Sequence, residues 1–168
     1  GFQFQKEDYK LPELEVSIHG PDRVSLDVPF AVSMSARYYA GGRVAKRPLQ
    51  WRVTQFPYTW KPRVLTGFKF NSRGQFSGQT SLQSESVTEQ SMTTDATGAA
   101  ELKVNPALEA SANARRYVIE ASVTGNDGRV VTATRQVLGL PAFALGLKVP
   151  AVVRDGASVD THIAVVGP

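Results

Sequence analysis

Cysteine is absent from the 168 residues, and only two histidines occur. The first absence removes disulfides, thiolate metal ligands and cysteine nucleophiles together. It does not choose a compartment, because β-domains of oxidising compartments also do without disulfides. The second leaves His19 and His162, far apart in sequence, and a zinc site would need both to meet carboxylates in space. Surface histidines on strands or strand ends are the plainer expectation. His19-Gly20-Pro21-Asp22 is a local His/Asp pair that a serine triad could use, and a turn accounts for it better. Gly41-Gly42 lacks the helix and the lysine that follow the glycines of a phosphate-cradling loop. Asp95 and Asn126-Asp127 are too sparse for the six or more oxygens of a calcium site. No apolar run approaches the ~20 residues of a membrane-spanning helix, and the opening GFQFQKEDYK lacks the charged-then-apolar order of a signal segment. Any signal or lipid anchor is expected upstream, and the chain reads as an excised piece. No enzyme activity, metal or cofactor is expected.

Charge is also in short supply. The net value is +4 with both signs spread along the chain, which fits a solvated surface better than a dedicated anionic partner. With 42% hydrophobic and 20% charged residues, the composition is that of a folded domain and not of a disordered one.

What the chain has is alternation. Val28, Phe30, Val32, Met34, Ala36 and Tyr38 occupy every second position, with Pro29, Ala31, Ser33, Ser35, Arg37 and Tyr39 between them. Only a strand turns that period into one buried face. After Gly41-Gly42, Leu49, Trp51 and Val53 resume it. The same period marks Leu14 to Ile18, Ala100 to Val104, Tyr117 to Val123 and Val131 to Val137. Val24 and Leu26 lead into the long strand. Gly20-Pro21-Asp22, Asp95-Ala96-Thr97-Gly98 and Asn126-Asp127-Gly128 read as turns, the last as a hairpin turn. Phe2 and Phe4 predict a short strand, and Asn105 to Ala114 either one helical turn or a loop. Gly139-Leu140-Pro141 reads as a hinge, followed by strands at Phe143–Val149 and Val159–Val165. The expected fold is all-β, an antiparallel β-sandwich with a long inserted arm and a partial second domain. The expected organisation is residues 1–11 as the end of a preceding domain or a linker strand, 12–138 as the sandwich, and 139–168 as the start of a following one.

Residues 56–90 fit a compact sandwich least well, since sandwich connections are short. FPYTWKPRVLTGFKFNSRG is aromatic and basic without an acid, and GQFSGQTSLQSESVTEQS after it is polar. Val64 to Phe70 predicts a hairpin arm, and Ser84 to Thr93 a return to the sheet. Tyr58, Trp60, Lys61, Arg63, Phe68 and Phe70 are the candidate contact residues of this arm. Contact with a neighbouring domain or protein is preferred, with stacking on a polysaccharide or nucleic acid and plain core packing as the alternatives.

Several of these stretches resemble one family. Ala36 to Tyr58 carries an aromatic pair (Tyr38-Tyr39), a Gly-Gly connection, the link Arg43 to Leu49 and the strand Trp51-Arg52-Val53. This order is similar to the second and third strands of a macroglobulin domain of bacterial α2-macroglobulins. Tyr9 to Val16 resembles the opening of such a domain. Thr94 to Gly98, Tyr117 to Ala121 and Thr124 to Arg129 resemble its later strands and turns. Arg43, where proline is common, and Lys46-Arg47, where small residues are common, depart from the pattern at positions expected to be exposed. The resemblance implies a sandwich of macroglobulin/Ig-like type, a non-catalytic structural domain of a periplasmic peptidase-trapping protein, one that rearranges when a peptidase cuts its bait region. Without cysteine this chain cannot hold the family's thioester, and Glu89-Gln90 is no substitute. The polar 77–94 stretch reads as an ordinary insertion and not as the bait. The partners implied are neighbouring macroglobulin domains and, through the full-length protein, peptidases, with neither nucleic acid nor direct membrane insertion. The alternative is an Ig-like adhesion or glycan-binding module of a surface protein.

Overall fold

The computed structural model describes residues 13–60, 65–70, 86–106, 113–149, 156 and 158–167. The short strand expected around Phe2 and Phe4 lies outside them, as does most of Asn105 to Ala114. Among the described residues the regular elements are β1 (Leu14–His19), β2 (Arg23–Ser25), β3 (Phe30–Tyr38), β4 (Pro48–Pro57), β5 (Ser86–Thr93), β6 (Ala99–Val104), β7 (Arg115–Thr124), β8 (Val130–Leu140), β9 (Ala144–Lys148) and β10 (His162–Val166).

Two sheets face each other. One is three-stranded in the order β1-β3-β6, the other five-stranded in the order β2-β8-β7-β4-β5, and β9 and β10 form a separate antiparallel pair. The alternating periods decide what faces inward. Phe30, Val32, Met34 and Ala36 are buried on β3 while Ala31, Ser33, Ser35 and Arg37 are exposed. On β4 the buried set is Leu49, Trp51, Val53 and Gln55. Leu14, Ile18 and Leu102 from the first sheet join Tyr117, Ile119, Ala121, Val123 and Val137 from the second in one continuous core. The rings of Phe30 and Tyr117 meet across the two layers at 5.5 Å between centroids, tilted by 58°, a favourable aromatic geometry. Trp51 is fully buried, and its indole N–H points at Met92 Sδ, 3.1 Å away.

Three expectations shift. Val28 is exposed, because Ser25 to Val28 closes a turn (Val28 N–H to Ser25 O, 3.4 Å) and Pro29 has no N–H for a ladder; the strand starts at Phe30. The sheets are not wholly antiparallel. β2 pairs with β8 in parallel, Arg23 to Ser25 lying opposite Leu138 to Leu140. No hairpin joins these two strands, so nothing imposes the antiparallel sense. Gly139 and Leu140 belong to β8, held by that pairing, with Leu140 buried; the strand breaks at Pro141 and not at Gly139.

The chain changes sheet twice around a single buried residue. β3 leads to β4 through the link Arg43 to Arg47, and β5 leads to β6 through the Asp95 to Gly98 turn. Thr94 ties the two crossings together. Its hydroxyl donates to Val44 O (2.5 Å) and accepts from Arg47 N–H (2.9 Å), while its backbone exchanges bonds of 3.0 Å with Lys46 N and Arg47 O. In the link, Arg43 and Lys46 are exposed and Arg47 half-buried.

Candidate functional site

The long strand β4 delivers the arm. At its end Phe56 lies under the Arg116 guanidinium, 5.3 Å from the ring centroid. Tyr58 N–H donates to Ala114 O at 3.0 Å, so the chain leaves the sheet beside the start of β7. Beneath it, the buried Arg115 donates to Gln55 Oε1 at 3.1 Å, which lets a guanidinium sit at the sandwich end without being unpaired. The Tyr58 ring is exposed and Trp60 half-buried. Lys61 and Arg63 lie outside the described residues.

The chain is described again from Leu65 to Phe70, where its described pairing is with β9 and not within the stretch; Val64 lies outside the described residues. Thr66-Gly67 turns, and Lys69 then pairs with Leu147 of β9 as an isolated antiparallel bridge. Lys69 N–H reaches Leu147 O at 2.8 Å, and Leu147 N–H reaches Lys69 O at 3.0 Å. On one side of the bridge the Phe70 ring covers Gly146, where a Cβ would lie 2.5 Å from ring carbons. On the other side the Lys148 ammonium stands 5.9 Å from the centroid of the Phe68 ring. Among the described residues, the arm meets the β9–β10 pair. Local sequence could not show this, since the partner strand begins some seventy residues downstream.

The opposite face of β9–β10 is apolar and open. Leu145 sits opposite Val165 and Leu147 opposite Ile163, all four exposed. Sequence reading identified both strands without identifying which face would be left uncovered.

A second polar feature was missed altogether. Gln50, Arg52, Glu89, Glu120, Ser122 and Thr132 line a shallow hollow of about 310 Å³ on the outer face of the five-stranded sheet. Arg52 has Glu89 of β5 and Glu120 of β7 as its two cross-strand neighbours. It bonds Glu89 Oε1 through Nε (2.9 Å) and Nη2 (2.8 Å). The signal was the polar half of the alternation, Gln50 and Arg52 between Leu49, Trp51 and Val53.

The residues weighed for catalysis or metal binding make ordinary structural contacts. His19 ends β1 with its ring 3.2 Å from Ser17 Oγ, and Asp22 accepts from Arg135 Nη2 at 2.8 Å. His162 starts β10 in solvent. Asp95 Oδ1 accepts from Thr97 Oγ1 (2.6 Å), Thr97 N (2.7 Å) and Ala99 N (2.9 Å). The Thr97 hydroxyl first, then the Ala99 amide, hold its carboxyl below the usual aspartate range. Asn126 donates to the Tyr38 hydroxyl at 2.9 Å, and Asp127 caps Arg129 N–H at 3.0 Å. Among the described residues no three histidines, aspartates or glutamates gather where a metal ion could sit.

No protein-family model matches the sequence, and no curated protein matches it. Solved structures do. The Escherichia coli alpha-2-macroglobulin activated by porcine elastase matches with a TM-score of 0.64 at 17% identity, over 95% of this chain and 14% of that one. The native conformation of the E. coli protein matches with a TM-score of 0.63 at 18% identity, over 92% of this chain and 10% of that one. The Salmonella alpha-2-macroglobulin reacted with methylamine matches with a TM-score of 0.63 at 19% identity, over 94% and 10%. The chain thus spans about a tenth of the length of the proteins it matches. At these identities the likeness is one of fold, and the fold is macroglobulin-like.

Proposed function

We propose that the chain is a non-catalytic structural domain of a bacterial α2-macroglobulin, a peptidase-trapping protein of the cell envelope, working in the periplasm. The observation that carries this reading is the extent of the fold match, over 92–95% of the chain. It takes in the sandwich and runs on toward the β9–β10 pair. The interior supports it. One apolar core fills both layers, and the polar residues buried with it, Gln55, Thr94 and Arg115, hold strands and crossings in place. Comparable scores against a native and an elastase-activated form support a unit that moves as a rigid body when its parent rearranges. The partners are then neighbouring domains of the same chain, with peptidases met through the full-length protein.

The test uses the full-length protein in which this chain occurs. Trypsin or elastase is added and the particle is followed by small-angle scattering and by mass spectrometry of the cleaved ends. The expected result is one early cut outside residues 14–140 with a change in overall shape. Cleavage that leaves the shape unchanged, or a first cut within the sandwich strands, would overturn the reading. Saturable glycan binding abolished by Trp60→Ala in a folded chain would point to an adhesion or glycan-binding module in its place.

A further inference from the structure

Among the described residues no strand of the two larger sheets packs extensively on β9 or β10. The contact that does reach the pair comes from the arm. In an antiparallel ladder, residues alternate between those that bond their partner and those whose N–H and C=O point away. Leu147, opposite Ile163, points both groups away from β10, and both are taken by Lys69. By the same alternation, Gly146 and Lys148 bond toward Ala164 and His162. The buried Gly146 lies beneath the Phe70 ring, between the exposed Leu145 and Leu147.

We propose that Leu65–Phe70 is a clasp that sets the pose of the β9–β10 pair on the sandwich, with Gly146 as the seat for Phe70. Among the described residues, the joint has one reciprocal pair of backbone bonds, one ring contact and the weak Lys148–Phe68 attraction. The β4–β7 and β7–β8 ladders, by contrast, run for nine and ten paired residues. A joint that slight opens while the sandwich stays folded. Its opening reorients the apolar face of Leu145, Leu147, Ile163 and Val165. This inference concerns the chain itself and goes beyond the trapping role, so neither depends on the other.

The experiment compares the 168-residue chain with Phe70→Ala and Gly146→Val, using residue-resolved amide exchange. Local opening governed by so few contacts makes the Lys69 and Leu147 amides exchange at least about tenfold faster in both variants. The Lys148 amide in both variants, and the Gly146 amide in Phe70→Ala, stay protected. Pose is read from spin labels at Val130→Cys and Ile163→Cys, a clean pair because the chain has no cysteine of its own. The distance distribution should be narrow with Phe70 and broad with Phe70→Ala. Unchanged Leu147 exchange, or an unchanged distance distribution, refutes the clasp. So does loss of Gly146 and Lys148 protection along with Leu147, in Phe70→Ala and in the milder Phe70→Leu, since the ring would then hold the pair folded and not posed.

Discussion

Gly98→Ala isolates the close approach at which the chain crosses between the sheets. Gly98 has φ +82°, and a Cβ there would lie 2.5 Å from Ala36 O and 3.1 Å from Val44 N. Both neighbours are backbone. Ala36 is fixed in β3, its N–H bonded to Gly98 O at 2.8 Å, and Val44 N–H is directed at Ala36 O from 3.5 Å. Neither can turn aside as a flexible side chain would. The left-handed backbone alone costs alanine about 1–2 kcal/mol. Forcing a methyl into a filled space adds about 1–3 kcal/mol. Gly41→Ala provides the control, because its φ is +91° but nothing lies within 4 Å of its Cβ position. It should show the backbone cost by itself. With a urea m-value of about 2 kcal/mol/M, Gly98→Ala should lower the unfolding midpoint by about 1–2.5 M and Gly41→Ala by under about 1 M. Equal midpoints for the two variants would refute the close approach, and with it the packing of the Asp95–Gly98 turn on β3.

Thr94→Val keeps the shape of a buried side chain while leaving Val44 O and Arg47 N without the hydroxyl, so urea denaturation should show a loss of about 2–4 kcal/mol. Trp51→Ala empties the largest buried site and should cost about 3–5 kcal/mol in the same measurement. Asp95 has a folded pKa below its unfolded value, so its contribution is complete at neutral pH and fades as pH falls through the folded pKa. Urea midpoints taken down to about pH 3 should fall less steeply for Asp95→Ala than for the parent chain, relative to each protein's value at neutral pH. Arg52→Ala removes only an exposed pair with Glu89 and should change stability by under about 1 kcal/mol.

The sandwich was legible where one face of a strand is buried and the other wet. Phe30 to Ala36 and Leu49 to Val53 place one residue in the core and the next in solvent, so the period alone identifies them. Asn126-Asp127-Gly128 was legible for a local reason too, since Gly128 supplies the positive φ of the turn between β7 and β8. β2 is too short to show a period, and its parallel partner lies more than a hundred residues away, so its sheet change left no local mark. Val28 extended the right period beyond the strand because nothing in the alternation itself registers a turn. The candidate site was half legible. An aromatic, basic stretch marked the arm, but Tyr58 is tied beside β7 while Phe68 and Phe70 reach β9, a division set by long-range pairing. The Arg52 hollow was hidden for the opposite reason: outward-facing polar residues are what any wet sheet shows.

The parallel seam between Arg23–Ser25 and Leu138–Leu140 bears on how this chain acquires its shape. The stretch that β2 needs is made late, after the five strands β3 to β7. A ribosome releasing the chain from its amino end therefore exposes a partly built sandwich until residue 140 has cleared the exit. Truncation before that point should strand Leu26, whose amide has Leu140 O as its partner, and leave an open border available to other nascent chains.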